Sequence, residues 1–166
     1  SKMEMMAQQS ADGNRTSFAG VFSISELSDN EKGLLETILQ EYATGSENIS
    51  LDLRSLISIT SEVKAINNQA ILLHGERIKK AQGILTTYRD GAFSAWLIAT
   101  YGNRQTPYNF LQYFEFFHTL PTTLRPQIEQ MPKQAIYTLA SRDGELEEKK
   151  RIIENYAGQT KDQLLS

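Results

Sequence analysis

The chain has no cysteine among its 166 residues. That excludes disulfides and thiolate chemistry, and it suits a reducing compartment. Histidine is nearly absent too: His74 and His118 stand far apart, with no metal-ligand spacing, so neither a metal nor a cofactor is expected. No apolar run reaches the roughly 18 residues that a membrane-spanning helix requires, and no membrane role is expected. The N-terminus lacks the basic-then-apolar order of a secretory signal, so the expected location is the cytoplasm. No segment alternates with period two and no long β-branched run occurs, which excludes a sheet and predicts an all-α fold. No nucleophile–base pair, phosphate-cradling loop or carboxylate pair stands out, and the expectation is that the chain is not an enzyme.

Charge is present but uneven. The net charge is −3, which argues against coating nucleic acid by bulk charge. Residues 1–50 hold three basic and eight acidic residues, and residues 51–166 hold fourteen and twelve. Between Glu62 and Pro107 six basic residues face three acids. A local positive excess there is either a solvated helix face or the phosphate-contacting flank of a nucleic-acid reader.

The organisation reads as three parts. Residues 1–20 are polar and aperiodic, a mobile tail. Residues 21–49 form an acidic helical segment. The short apolar stretch Phe18–Leu27 is expected to dock as an extended segment. Ser28 and Glu31 then make a capping box for a helix reaching Tyr42, with Leu34, Leu35, Ile38 and Leu39 in one stripe. Residues 50–166 begin with a long helix from near Ser50 to about Tyr88. Along it Leu56, Ile59, Val63, Ile66, Ala70 and Leu73 recur in steps of three and four, a heptad-like seam. The seam's partner is either the chain's own first helix or a second subunit. A homodimer would set two reading heads on pseudo-palindromic half-sites. Gly75 and Gly83 weaken this helix, which leaves a kink or break at Gly75 open.

Beyond an Asp90-Gly91 turn, Phe93–Phe117 reads as two short helices around a sharp turn. Phe93, Trp96, Leu97 and Ile98 give the first helix an apolar face, and Gly102 ends it. Asn103, Arg104 and Gln105 form the turn. Thr106 caps the second helix, with Pro107 at its first position. Tyr108 and Leu111 point inward, and Trp96 is the packing anchor in the angle between the helices, against Leu111 and the Pro121 exit. The layout is that of a helix-turn-helix, though an ordinary αα-hairpin reads alike. Shorter helices follow over Thr122–Gln130, from Pro132 to Ser141, over Glu145–Tyr156 and, capped by Thr160, over Lys161–Leu165. His118, at a helix end, is expected to be exposed or capping.

If the motif reads double-stranded DNA, Arg104, Gln105, Thr106 and Asn109 face the bases and phosphates. Arg pairs with guanine, and Asn or Gln with adenine, in bidentate fashion. Thr106 and the free N–H groups of the helix start suit a phosphate. Tyr113 is the tyrosine left over for stacking or phosphate bonding. Lys79, Lys80, Arg89 and Lys133 would position the duplex without reading it. The alternative is a helical adaptor that binds another protein and not DNA.

Two resemblances sharpen this. Gly102-x-x-x-Thr106-x-Tyr108-x-x-Leu111, the Leu120-Pro121 exit, Met131–Glu145 and Gly158–Leu165 resemble the helix-turn-helix domain of ParB- and KorB-type partition proteins. The departures are Arg104, where that family usually has Ser, and Pro107 in the early helix. The chain leaves no room for that family's nucleotide-binding domain. Gly75-Glu76-Arg77 imitates part of its GERR box, but within a helical pattern. More closely, Leu72–Leu85, Phe93–Trp96, Tyr108-Asn109, Leu120-Pro121 and Ala135–Arg142 are similar to the chlamydial virulence-plasmid protein family six-D, over about residues 60–165. That resemblance implies a DNA-binding role in plasmid maintenance, partition or transcriptional regulation. It also implies a bacterial cytoplasm, with nucleoid or plasmid association.

Overall fold

The structure, a computed structural model, describes residues 25–158 and Gln163. The expected tail over residues 1–20, most of the Phe18–Leu27 stretch and nearly all of the Thr160-capped last helix lie outside the described residues. The described residues are helical throughout, with no strand among them, as the absence of period-two patterning requires. The chain divides into two compact units between Gln69 and Ala70.

The first unit opens with Ser25–Leu27, the described end of the Phe18–Leu27 stretch. Ser25 and Leu27 are buried. The Ser61 hydroxyl donates to the Ser25 carbonyl, and Asn68 Nδ2 donates to Ser25 Oγ at 3.1 Å. Helix α1 (Asp29–Glu41) starts with the capping box the sequence predicts: Ser28 Oγ accepts from the Glu31 amide, and Glu31 Oε1 from the Ser28 amide. Lys64 Nζ bonds the same Glu31 oxygen at 2.8 Å and the Glu26 carbonyl at 3.2 Å. Burial pushes the Glu31 carboxyl up. The Lys64 and Ser28 hydrogen bonds and the Lys64 charge together outweigh it and hold the group below its usual range. A tight connection follows. The Thr44 hydroxyl and amide donate to the exposed Glu47 carboxylate, with the Ser46 amide, and lower its pKa to about 2. Asn48 Oδ1 then caps helix α2 (Ile49–Leu85) at the Leu51 amide.

α2 runs 37 residues without interruption. The helix does not break at Gly75, and the glycine serves a different end. A Cβ at Gly75 would collide with Phe114 Cβ and stand 2.7 Å from the Phe110 carbonyl oxygen. Gly75 is therefore the point where a second helix crosses α2 at close range.

That crossing belongs to the second unit. After α2 come α3 (Ala92–Tyr101), α4 (Gln105–Thr119), a 3₁₀ turn (Thr122–Leu124), α5 (Arg125–Gln130), α6 (Lys133–Ser141) and α7 (Leu146–Glu154). The main core gathers Ile71, Tyr113, Phe116, Phe117, Leu120, Leu124, Ile128, Met131, Ile136, Leu139 and Ile153. A smaller cluster of Ile78, Leu97 and Leu111 braces α2, α3 and the start of α4. α4 contributes to both clusters, which fixes its orientation within the unit.

Candidate nucleic-acid interface

The segment read as a helix-turn-helix is α3, a three-residue bend and α4. α3 enters from Gly91 and leaves at Gly102, both in the left-handed region with φ of 94° and 82°. Glycine carries no Cβ penalty there, which explains both helix ends. The bend is Gly102-Asn103-Arg104, and α4 starts at Gln105, two residues earlier than the sequence suggests. The cap also differs. Asn103 Oδ1 accepts from the Thr106 amide at 2.8 Å, so Asn103 holds the first turn and Thr106 lies inside it. Pro107 is not the first helical residue. It sits in the first turn, where its missing N–H leaves no bond unmade, and its ring is buried.

Pro107 replaces Tyr108 in the expected inward pair. Leu111 is buried as predicted, whereas Tyr108 is 40% exposed and meets Phe93 edge to face at 6.3 Å. The anchor in α3 is Leu97, with no exposed surface. Trp96 packs on the same cluster but stays half-buried at its rim, stacked on Phe93 and edge-on to Tyr101. Pro121, its other expected neighbour, is exposed.

The residues read as base-facing stand as follows. Arg104, Gln105 and Thr106 are exposed, and Asn109 is half-buried. Gln105 Nε2 donates to Asn109 Oδ1 at 2.9 Å, so one turn of helix aligns two amide side chains in one row. The helix start is poorer in donors than expected. Asn103 already holds the Thr106 amide, and Pro107 has none, so little remains for a phosphate.

One of the proposed contacts is corrected by burial, and a second already has a partner in the core. Tyr113 is closed off from solvent inside the main core and cannot reach a nucleic acid. Burial, with Glu129 and Tyr137 nearby, pushes its hydroxyl far up, which keeps it a neutral phenol. Lys133 is the residue that serves it: Nζ donates to Tyr113 Oη at 3.4 Å and lies 5.1 Å from the ring centre. Lys133 is thus half-buried against a core tyrosine. Lys79 pairs with Glu115 of α4 at 2.7 Å, and Lys80 with Glu76 one turn back at 3.1 Å. Adjacent on one helix, these lysines diverge by about 100°. Arg89 is exposed in the turn after α2. Lys79 and Lys80 therefore have different partners. The pairings were invisible in the sequence for Lys79, whose partner is 36 residues away, but legible for Lys80 as an i,i+4 pair.

His118 is exposed in the last turn of α4, edge-on to Phe114 and Phe117. His74 was passed over by the sequence reading. Its ring stacks on Phe110 at 5.0 Å, and Nδ1 lies 2.8 Å from Tyr101 Oη, tying α2 to the end of α3. Among the described residues no group of His, Asp and Glu is arranged to hold a metal ion, and no helix is long and apolar enough to cross a membrane.

A family model covers residues 1–166 in full. The chain belongs to the Uncharacterised protein family (UPF0137). Its relatives include the "Virulence plasmid protein pGP6-D-related protein" of Chlamydia muridarum, 50% identical over 164 residues, which are 99% of this chain and 63% of that protein. The protein of the same name from Chlamydia pneumoniae is 49% identical over 164 residues, covering 99% of this chain and 66% of its own length. The "Virulence plasmid protein pGP6-D" of C. muridarum is 35% identical over 143 residues, covering 83% of this chain and 58% of that protein. The chain thus spans less than two thirds of the length of these relatives. No solved structure matches it. The resemblance to the chlamydial virulence-plasmid family is borne out by these members of UPF0137, and none of their names speaks of a ParB- or KorB-type motif.

Proposed function

We propose that this chain binds double-stranded DNA sequence-specifically through the start of α4, as a helix-turn-helix of the ParB/KorB kind. The observation that carries the reading is the polar set of exposed Arg104, Gln105 and Thr106 with half-buried Asn109, at the bend and the first turns of α4, while Pro107 and Leu111 are buried. A row of amide and guanidinium groups on a braced helix start is what major-groove readout demands. The relatives are named virulence plasmid proteins, and the role we propose for the chain is in plasmid maintenance, partition or the regulation of transcription, in a bacterial cytoplasm. Arg89 and, once released from Glu76, Lys80 supply phosphate contacts. No catalytic step is proposed.

The test is a low-salt gel shift against a randomised duplex pool, followed by selection of preferred sequences. Asn109→Ala should relax sequence preference by about 1–3 kcal/mol at one base pair and leave binding to random duplex nearly intact. Lys80→Ala should weaken binding to all sequences alike and flatten the salt dependence by about one ion. If neither variant, nor Arg104→Ala, changed DNA affinity on any sequence, the DNA reading would fail and a protein-binding adaptor would replace it.

A further inference from the structure

The most apolar face of α2 points to solvent. Ile59, Val63, Ile66 and Leu73 are 56%, 48%, 43% and 40% exposed. The side of the same helix that meets Ser25–Glu31 is instead Ser61, Lys64, Ala65 and Asn68. Polar side chains are spent within the chain, and isoleucine and valine are left outside. α1 does not cover the stripe, since none of its residues is buried and Leu34 and Ile38 are themselves exposed.

We infer that this stripe is the docking surface for a second copy of this chain, packed against it antiparallel about a two-fold axis between Val63 and Ile66. The heptad assigns Leu56, Val63 and Ala70 to one seam position and Ile59, Ile66 and Leu73 to the other. An antiparallel pair sets these positions opposite each other in layers: Leu56 on Leu73 of the second copy, Ile59 on Ala70, and Val63 on Ile66. Every layer is apolar, and the large Ile59 faces the small Ala70. The next layer outward pairs Asp52 with Arg77, once at each end of the symmetric pair. Both are exposed, so the seam ends in matched opposite charges. Beside the seam, Glu62 faces Gln69 and Thr60 faces Asn67, so no like charges meet. From Ile49 to Gly75 the helix holds two acids and two bases, Asp52, Glu62, Arg54 and Lys64, and is neutral overall. A nucleic acid finds no net charge along this face, and a second copy finds its complement. The seam is about 26 Å long at 1.5 Å per residue. This inference rests on α2 alone and not on the DNA reading.

The experiment is light scattering and sedimentation of the full 166-residue chain at tens of micromolar, without DNA. The wild type should have the mass of two chains. Val63→Glu and Ile66→Lys should each have the mass of one chain with helix content unchanged, because both side chains are exposed in the single chain. An equimolar mixture of the two variants should recover the two-chain mass, since antiparallel pairing puts the new Glu against the new Lys. Should either variant lose its helix content, the seam ends give the reading instead. Asp52→Arg should raise the dissociation constant several-fold, and Asp52→Arg with Arg77→Asp in one chain should restore it. A wild type of one-chain mass would overturn the inference. So would well-folded variants that keep the two-chain mass, or a mixture that stays at one-chain mass.

Discussion

The two units of this chain are stabilised by different means. Residues 70–158 build two apolar clusters, with Ile78, Leu97, Tyr113, Ile128, Ile136 and Ile153 wholly enclosed. Residues 25–69 enclose only Ser25, Leu27, Ala65 and Asn68, and they hold Ser25–Glu31 to α2 mainly by hydrogen bonds and one ion pair. Hydrogen bonds contribute about 0.5–1.5 kcal/mol net, whereas burying a large aliphatic side chain contributes about 1.5–3. The second unit should therefore resist perturbation that opens the first. Substitutions should cost most where apolar enclosure is complete and least where solvent screens the contact.

The largest expected effect breaks the smaller cluster of the second unit. Leu97→Ala should destabilise that unit by about 2–5 kcal/mol, the range for an enclosed leucine whose cavity cannot collapse. Thermal or urea unfolding checks it. Trp96→Ala, at the rim of the same cluster, should cost clearly less. A larger loss at Trp96 would return that residue to the anchoring role the sequence suggested.

Gly75→Ala sharpens the comparison next. On an exposed helix the change would stabilise by about 0.8–1 kcal/mol through propensity. Here the new Cβ meets Phe114 and the Phe110 carbonyl, so a net loss of about 1–3 kcal/mol is expected. A variant melting above the wild type would show that α4 does not cross α2 closely. Gly83→Ala is the control, since nothing lies within 4 Å of its added Cβ.

The smallest effect belongs to the first unit and depends on pH. Glu31 has a folded pKa below the ordinary 4.5. A group lowered on folding stabilises above its unfolded pKa, and the contribution is lost as pH falls through the folded value. Acidification below 4.5 should thus loosen Ser25–Glu41 before it affects the second unit. The pair is part-exposed, so the loss should stay under about 1 kcal/mol. Amide exchange of residues 25–41, compared between wild type and Glu31→Gln, reads it. Equal acid sensitivity in both would remove Glu31 from the explanation.

Much of the fold was legible because local chemistry decided it. The Ser28–Glu31 capping box, the α2 heptad and the left-handed glycines at 91 and 102 act within a few residues of themselves. The site was less legible where distant packing decided. A glycine inside a helix announces that a Cβ is unwelcome, but not whether the cause is a kink or a crossing helix, and Gly75 proved to be the second. Asn103 and Thr106 are both capable caps, and the following Pro107 pointed to the wrong one. Tyr113 offered no polar pattern to mark it as enclosed. Its fate was set by Phe117, Tyr137 and Lys133, which only the folded chain brings to it.

Trp96 is the sole tryptophan in the chain. It lies half-buried among Phe93, Tyr101 and the cluster that braces the start of α4. Its emission is therefore a natural optical gauge of that one neighbourhood, with no dye to attach. A red shift registers water reaching the rim of the cluster, while events confined to residues 25–69 pass without a signal. Far-ultraviolet dichroism averages over every helix at once, so the two spectra recorded together separate loosening around α4 from loosening elsewhere.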